Sequence, residues 1–253
     1  MTASPARQER ISAAVLVIGD EILSGRTKDQ NIGTIADHLT GLGIDLKEVR
    51  IVADEEADIV DALNALRTRY SYVFTTGGIG PTHDDITADA VAKAFGVGIG
   101  IHPEARALMQ ENCDKRGIEL TATRLRMARI PTGGELVKNS VSVAPGFMIG
   151  NVIVMAGVPS IMRVMLADVT QHLQRGVQML SRTIDVLHPE GVIAELFRQH
   201  AADYPDVAMG SYPQNTDGRY WTQLVLRSTE PDRLEKAVTA LQAMLTSGGL
   251  TAR

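Results

Sequence analysis

Blocks of apolar residues alternate with amphipathic stretches along the first part of the chain, and this order predicts strands followed by helices. The apolar run 13–18 stops at Gly19 and is typical of a strand that is buried on both faces. Apolar residues then recur at helical spacing until two glycines end the pattern. The same order repeats with strands predicted over 44–54 and 71–75, each followed by a helix. Strands that alternate with helices predict a mostly parallel sheet, the α/β class.

The pattern changes in the last third of the chain. A helix is predicted over 103–116 and an irregular segment over 121–150, before one more strand and helix. Beyond Gly176 the order becomes strand, helix, strand, strand, helix, which predicts a small α+β domain. We therefore expect two domains, over residues 11–176 and 181–250.

Composition narrows the classes of protein that the chain can belong to. It has 253 residues, of which 44% are hydrophobic and 22% are charged, as in an ordinary globular protein. The net charge of -5 argues against a nucleic-acid partner. The single cysteine suits a reducing compartment, and no run approaches the roughly 18 apolar residues of a membrane span. These features predict a cytoplasmic protein with no membrane partner.

The segment TTGGIGPTHDDITADA, residues 75–90, carries the strongest chemical signal. Glycines that follow a strand let an anion approach the backbone amides. A helix predicted to begin near Thr82 would add the free N–H groups of its first turn. The candidates for binding phosphate are therefore Gly77, Gly78, Gly80 and Thr82.

Two adjacent aspartates, Asp84 and Asp85, come after these glycines, although carboxylates repel phosphate. A divalent cation would allow carboxylates and a phosphate to lie side by side, because hard cations bind carboxylate and phosphate oxygens together. Asp20 and Glu21 repeat the arrangement after the first strand, and ligands bind beyond the carboxyl ends of parallel strands. These four acids are the candidate metal ligands, for Mg²⁺, Mn²⁺ or Co²⁺, and Gly19 is a further candidate for ligand binding.

Local structure offers another role for some of the same acids. Thr82 and Asp85 have the spacing of a capping box, which explains Asp85 without any ligand. Asp54 closes the second predicted strand, where a helix N-cap explains it equally well. His83 is either a solvated loop residue or a proton donor to the leaving phosphate. These alternatives stay open at this point.

Several segments taken together resemble a known family. IGDEILSG, DQNIGTIADHLTGLGI, VAD and the glycine segment are similar to the MoaB/Mog fold, also called the molybdopterin-binding or MoCF domain. MARIPTGGELVKNSVSVAPGF (127–147) and GVPSIM (157–162) resemble the amino-terminal domain of CinA-like competence/damage-inducible proteins and the matching domain of eukaryotic FAD synthases. The segment from MGSYPQNTDGRYW onward is similar to the region after that domain in FAD synthases and in short CinA-like proteins.

The resemblance implies a three-layer α/β sandwich with a mostly parallel sheet, assembled as a homo-oligomer. It also implies divalent-metal-dependent hydrolysis of a pyrophosphate, with ADP-ribose or FAD as the nucleotide ligand and AMP as a product. Asp85 and Asp54 match aspartates that are important in Mog proteins, and Asp84 and His83 complete the expected catalytic set. By the same analogy, Asn139 and Gly146 would line the far wall of the site, and Gly157 is a further candidate for ligand binding.

Two other functions fit the same loop. The protein would bind molybdopterin, or transfer an adenylyl group, in the handling of the molybdenum cofactor. Alternatively, it would be a nucleotide-binding regulator without catalysis. The carboxyl-terminal deamidase domain of full-length CinA and the adenylyl-transferring domain of FAD synthase do not fit within 253 residues.

Overall fold

The computed structural model describes residues 10–253, and the chain divides into two compact units between Gly176 and Val177. The strands of the first unit are β1 (Ser12–Ile18), β2 (Asp45–Val52), β3 (Tyr72–Thr76), β4 (Ile99–Ile101), β5 (Arg129–Pro131), β6 (Glu135–Val137), β7 (Gly146–Ile149) and β8 (Val152–Met155). Its helices are α1 (Asp20–Leu23), α2 (Asn31–Gly41), α3 (Glu56–Arg67), α4 (Thr87–Phe95), α5 (Pro103–Lys115), α6 (Ala122–Leu125) and α7 (Pro159–Val169). One-turn 3₁₀ helices lie at Arg126–Ala128 and Thr170–His172.

Within the described part of the first unit, six strands form one sheet in the order β2-β1-β3-β8-β7-β6. β1 pairs in parallel with both β2 and β3, and β3 pairs in parallel with β8. The mostly parallel sheet predicted from the sequence is therefore confirmed. The prediction of an irregular segment over 121–150 is wrong in part, because β7 pairs antiparallel with β8, and β6 pairs antiparallel with β7 at the edge of the sheet. These strands have only three and four residues, too few for a period to be visible.

The residues of β1 alternate between two hydrophobic cores, one on each face of the sheet. Ala14, Leu16 and Ile18 pack with buried residues of α3 and α4. Ala13, Val15 and Val17 pack with buried residues of α2 and α7. Helices on both faces of the sheet make the three layers of the expected α/β sandwich.

The order of the strands places a crevice at one edge of this sheet. The chain runs from β1 to β2 on one side and then crosses to β3 on the other side of β1. Ligands of open α/β sheets bind beyond the carboxyl ends of the strands at such a reversal. The loops that leave β1, β2, β3 and β8 begin there, and they carry Gly19, Asp54, Gly77 and Gly157.

The second unit is a small α+β domain, as predicted. Its antiparallel sheet has the order β10-β11-β9, formed by β9 (Leu180–Val186), β10 (Ala208–Thr216) and β11 (Arg219–Ser228). Apolar residues of the sheet pack against α8 (Glu190–Asp203) and α9 (Pro231–Ser247). In the part of the chain that the structure describes, no helix has both the length and the apolar character needed to cross a bilayer.

One titratable side chain lies inside this second unit. His200 on α8 is 0% exposed, and its ring centroid lies 4.8 Å from that of Tyr204. Burial lowers the pKa of His200, and the backbone of Ala237 and the charge of Asp203 oppose that shift only in part. The folded unit therefore favours the neutral imidazole.

We predict that the second unit loses stability in acid. The unfolded chain binds a proton near the ordinary histidine pKa of 6.5, whereas the folded unit resists it, so unfolding is favoured below that pH. The single tryptophan of the chain, Trp221, lies on β11, and its fluorescence reports the unfolding of this unit. The urea midpoint should fall between about pH 7.5 and about pH 5.5 in the wild type, and should fall less in His200→Leu.

The control is His83→Ala, because the His83 side chain is 98% exposed. This variant should keep the pH dependence of the wild type. An equal acid loss in His200→Leu and in the wild type would contradict the prediction.

Candidate functional site

The glycine loop after β3 has a backbone that only glycine accommodates. Gly77 has a φ of 104° and Gly78 has a φ of 64°, both in the region that disfavours side chains. A Cβ on Gly77 would overlap the carbonyl oxygen of Ile18, and a Cβ on Gly78 would overlap the Thr87 hydroxyl. The loop therefore passes very close to the end of β1 and to the start of α4. This close packing is possible only because both residues lack a side chain.

The helix after this loop begins later than predicted. The sequence prediction placed its start near Thr82, whereas α4 begins at Thr87. The Thr87 N–H donates to the carbonyl oxygen of Gly78 at 3.0 Å, and its hydroxyl donates to that of Gly77 at 3.1 Å. These bonds fix the first turn of α4 against the two glycines. The five residues from Thr82 to Ile86 form a separate loop.

The Asp85 carboxylate holds that loop together. Its Oδ1 accepts from the Gly80 N–H at 2.6 Å. Its Oδ2 accepts from the N–H and the hydroxyl of Thr82, at 2.8 and 2.6 Å. The predicted contact between Thr82 and Asp85 thus exists, but the capping-box interpretation is wrong, because these residues precede α4. Asp85 therefore stabilises the glycine loop, and both of its carboxylate oxygens accept hydrogen bonds there.

Asp54 and Asp20 link the ends of β2 and β1 by a reciprocal pair of hydrogen bonds. The Asp20 N–H donates to Asp54 Oδ2 at 3.0 Å, and the Asp54 N–H donates to Asp20 Oδ1 at 3.4 Å. The N-cap position of α3 is held by Glu55, which makes no side-chain cap. The N-cap explanation of Asp54 is therefore wrong. Its carboxylate instead faces the site, since a Cβ on Gly78 would lie 3.6 Å from Asp54 Oδ1.

The charge around Asp54 is strongly negative. Burial raises the pKa of Asp54, and the charges of Asp20, Glu21 and Asp84 raise it further, against the backbone hydrogen bond at Asp20 that lowers it. Like charges this close favour either a bound proton or a bound cation. The acids predicted from two separate loops are thus brought together by the fold.

The tip of the loop is exposed. The His83 and Asp84 side chains are 98% and 62% exposed, and His83 Nδ1 lies 3.9 Å from Asp84 Oδ1. A hydrogen bond from Thr82 lowers the pKa of Asp84. His83 therefore lies at the rim of the crevice.

The residues present fit a divalent cation only in part. Within residues 10–253, no group of three or more His, Cys, Asp or Glu side chains has the arrangement of a metal centre. Magnesium, however, is commonly held by one or two carboxylates together with substrate phosphates. Asp54 and Asp20 fit this smaller ligand set, with Glu21 and Asp84 nearby. Asp85 is less suited to bind a cation, because its oxygens already accept hydrogen bonds from the loop.

The three remaining candidates for ligand binding, Gly157 and the two far-wall residues Gly146 and Asn139, have different positions. Gly157 lies at the crevice, and a Cβ on it would lie 3.3 Å from the Cα of Gly77. A Cβ on Gly146 would overlap the carbonyl oxygen of Val154, so close packing of β7 on β8 accounts for this glycine. Asn139 uses both ends of its amide within its own loop, accepting from the N–H groups of Val141 and Ser142 and donating to the Ser142 hydroxyl and the Ala144 carbonyl.

Sequence reasoning missed an arginine beside the glycine loop. A cavity of about 20 Å³ lies between Gly78, Gly80 and Arg126, which belongs to the 3₁₀ helix after α6. Arg129 also lines this cavity, but it forms a bidentate pair with Asp89 at 2.6 and 2.8 Å. The Nε of Arg126 is buried and has no hydrogen-bond partner in the described part of the chain. No motif in the sequence marks Arg126 as distinct from its neighbours.

These features define an α/β protein with a glycine loop and a cluster of carboxylates at the reversal point of its sheet. Residues 14–175 match the family described as "Probable molybdopterin binding domain", and residues 178–253 match "FAD synthase, middle domain". The chain belongs to the MoaB/Mog molybdopterin-binding domain family, in its CinA-like group.

Known relatives cover most of the chain. A protein of Aeropyrum pernix is 32% identical over 219 residues, which is 83% of this chain and 82% of its own length. A protein of Archaeoglobus fulgidus is 29% identical over 91% of this chain and 96% of its own. Among solved structures, the protein CinA from Thermoplasma acidophilum, described as having unknown function, is 34% identical with a TM-score of 0.59. It covers 64% of this chain and 96% of its own.

Proposed function

We propose that the first unit hydrolyses the pyrophosphate bond of a dinucleotide of the ADP-ribose or FAD type, releases AMP, and requires a divalent cation. The observation that supports this proposal is the position of the Asp54 carboxylate against the glycine loop. A site that only bound phosphate would not place this carboxylate, with three more acids near it, against the glycine loop. A site that binds phosphate together with a cation needs such acids.

The residues of the crevice have distinct roles in this proposal. The N–H groups of Gly77 and Gly80 already donate within the fold, to the Met155 carbonyl at 3.2 Å and to Asp85 at 2.6 Å, which does not favour their expected role in binding phosphate. The remaining N–H groups of the glycine loop and of the first turn of α4 orient the two phosphates. Asp54 and Asp20 hold the cation, which when bound polarises the phosphate and activates a water molecule. Glu21 or Asp84, whose carboxylates lie near Asp54, accepts the proton of the attacking water. Water adds to one phosphorus atom, the bridging P–O bond breaks, and the released phosphate takes the bridging oxygen.

The test is AMP release from ADP-ribose, FAD and NAD, with Mg²⁺, Mn²⁺ and Co²⁺ in turn and with a chelator as control. We expect turnover of at least one of these dinucleotides that depends on the added cation. Absence of AMP release with every combination would overturn the proposal.

A second candidate function is binding of molybdopterin, an anionic pterin phosphate. The match of residues 14–175 to the molybdopterin-binding description favours it. The same loop amides would hold the single phosphate of that ligand. A stable complex with molybdopterin, without hydrolysis of any dinucleotide, would place this function first.

We predict that Arg126 contributes to phosphate binding, whichever of the two ligands the site takes. Because its buried Nε has no partner beside Gly78 and Gly80 in the described part of the chain, we expect its charge to stabilise a bound phosphate. Arg126→Gln should raise KM about tenfold and change kcat little, the pattern expected when ground-state binding is lost. The matched control is Arg124→Gln, because Arg124 donates instead to the carbonyl of Glu119 at 2.6 Å. Equal kinetics for the two variants would contradict the role of Arg126.

A further inference from the structure

The strand β2 lies at one edge of the six-stranded sheet. On its inner side, the Val52 carbonyl accepts from the Gly19 N–H at 3.1 Å. Because backbone groups point alternately to the two sides of a strand, the N–H and C=O groups of Val49 and Ile51 point away from β1. In the part of the chain that the structure describes, no strand pairs with this outer side. The edge therefore offers backbone donors and acceptors to another strand.

The second half of β2 lacks the features that usually protect a sheet edge. Natural edges carry lysine, proline or a bulge, which hinder pairing with another chain. β2 has a bulge at Lys47, which is skipped in the register with β1. From Glu48 to Val52 the strand is regular and contains no proline, glycine or lysine. Val49 and Ile51 are 38% and 40% exposed, and both are β-branched, which suits a strand that has neighbours on both sides.

Two opposite charges precede and follow Val49 along the strand. Arg50 Nε donates to Glu48 Oε1 at 2.7 Å, and the Tyr70 hydroxyl donates to Glu48 Oε2 at 2.6 Å. Hydrogen bonds from Tyr70 and Arg50 lower the pKa of Glu48, so its carboxylate is ionised at neutral pH. Both charged side chains remain partly exposed, so a second strand at this edge would meet them.

These charges select one register for two copies of β2 that pair antiparallel. When Val49 faces Val49 of the second copy, Glu48 of each copy faces Arg50 of the other. If Glu48 or Arg50 occupied the centre instead, two like charges would face each other. Opposite charges on facing residues stabilise a sheet, whereas like charges directly opposite destabilise it. The favoured arrangement therefore has a two-fold axis at Val49.

We propose that β2 is a dimer interface, at which it pairs antiparallel with β2 of a second copy of this chain. The Val49 N–H of each copy donates to the Val49 carbonyl of the other, and the two sheets join into one. The two-fold axis closes the assembly at two chains. Because the paired strands run in opposite directions, the two crevices open at opposite edges of the joined sheet. The inference does not rest on the proposed function.

The experiment is sedimentation velocity of the full chain without ligand. So short a pairing buries little area, so we expect a weak dimer with a Kd on the order of 10 µM. Arg50→Glu and Glu48→Arg should each raise this Kd at least about tenfold, because each places like charges opposite each other at two positions. Val49→Pro should abolish the dimer, since it removes the central N–H donor. The sheet should survive, because that N–H points away from β1 and proline is tolerated on edge strands.

Mixing the two charge variants tests the register itself. In an equimolar mixture of Arg50→Glu and Glu48→Arg, each reversed charge faces an opposite charge on the other chain. The mixture should therefore form a dimer with a Kd close to that of the wild type, although neither variant dimerises well alone. Circular dichroism of each variant shows that it is folded before mixing.

The matched control is Arg116→Glu, which makes the same change of charge at an exposed residue after α5 and should leave the dimer unchanged. A wild type that stays monomeric up to about 200 µM would overturn the inference. So would a trimer, because pairing about a two-fold axis stops at two chains. A dimer that persists in Val49→Pro, or a mixture of folded charge variants that stays monomeric, would also overturn it.

Discussion

We expect Gly78→Ala to abolish most binding of pyrophosphate and to destabilise the first unit. An alanine in the left-handed region costs about 1–2 kcal/mol. The overlap of its Cβ with the Thr87 hydroxyl adds about 1–3 kcal/mol of overpacking, unless the loop moves away from α4. A shift of the loop by about 1 Å misplaces the amides that hold the phosphate, and misplacements of that size cost about 100-fold.

Gly96→Ala separates the conformational cost of a left-handed alanine from the cost of the Cβ overlap. Gly96 ends α4 with a φ of 67°, close to the 64° of Gly78, but a Cβ there meets no atom within 4 Å. It should lower the unfolding midpoint by the conformational cost alone and should leave binding unchanged. Calorimetric titration with pyrophosphate and chemical denaturation of both variants provide the comparison. If Gly78→Ala bound pyrophosphate as tightly as Gly96→Ala does, the glycine loop would not be the anion site.

We expect the second large effect from Asp54→Asn, which should raise the stability of the ligand-free protein and lower its turnover. The folded state keeps the Asp54 proton to a higher pH than the unfolded chain, whose pKa is near 3.8. Ionisation of Asp54 therefore costs stability as pH rises through its raised pKa. Asparagine removes the cost, so the ligand-free unfolding midpoint should rise at pH 7. Cation-dependent AMP release should fall about 100-fold or more, because the carboxylate is lost.

Asp58→Asn makes the same change of charge on the first turn of α3. Asp58 is exposed, and its charge is favourable at a helix N-terminus, so its removal should lower stability slightly and leave turnover unchanged. Thermal denaturation without ligand and AMP release with Mg²⁺ measure the two effects. A lower midpoint together with normal turnover in Asp54→Asn would remove this residue from the site.

The main strands of the sheet could be predicted because the sequence pattern of each strand and helix lies within that element. Each buried strand of the first half is an unbroken apolar run, and each helix has apolar residues at helical spacing. β6 and β7 were not predictable, since strands of three and four residues form only where a neighbour such as β8 supplies the hydrogen bonds.

The site was predictable only as far as its residues lie directly after strand ends. Gly77 and Asp20 have such positions, and the parallel sheet brings them to one edge. The N-cap alternative for Asp54 was wrong, because the partner of this side chain, Asp20, lies 34 residues away in the sequence. Arg126 was missed for the same reason, since its neighbours at the crevice come from distant loops.

The bond from Asn31 to Gly157 joins positions 126 residues apart. A chain that has folded only its first strands and helices lacks this contact, so the crevice is complete only when the whole first unit is native. A ligand of the crevice binds the native state and not the unfolded chain, and mass action then raises the apparent stability. At a concentration of 100 Kd the gain is about 2.7 kcal/mol. Thermal-shift screening of dinucleotides and pterin phosphates is therefore a direct route to the natural ligand.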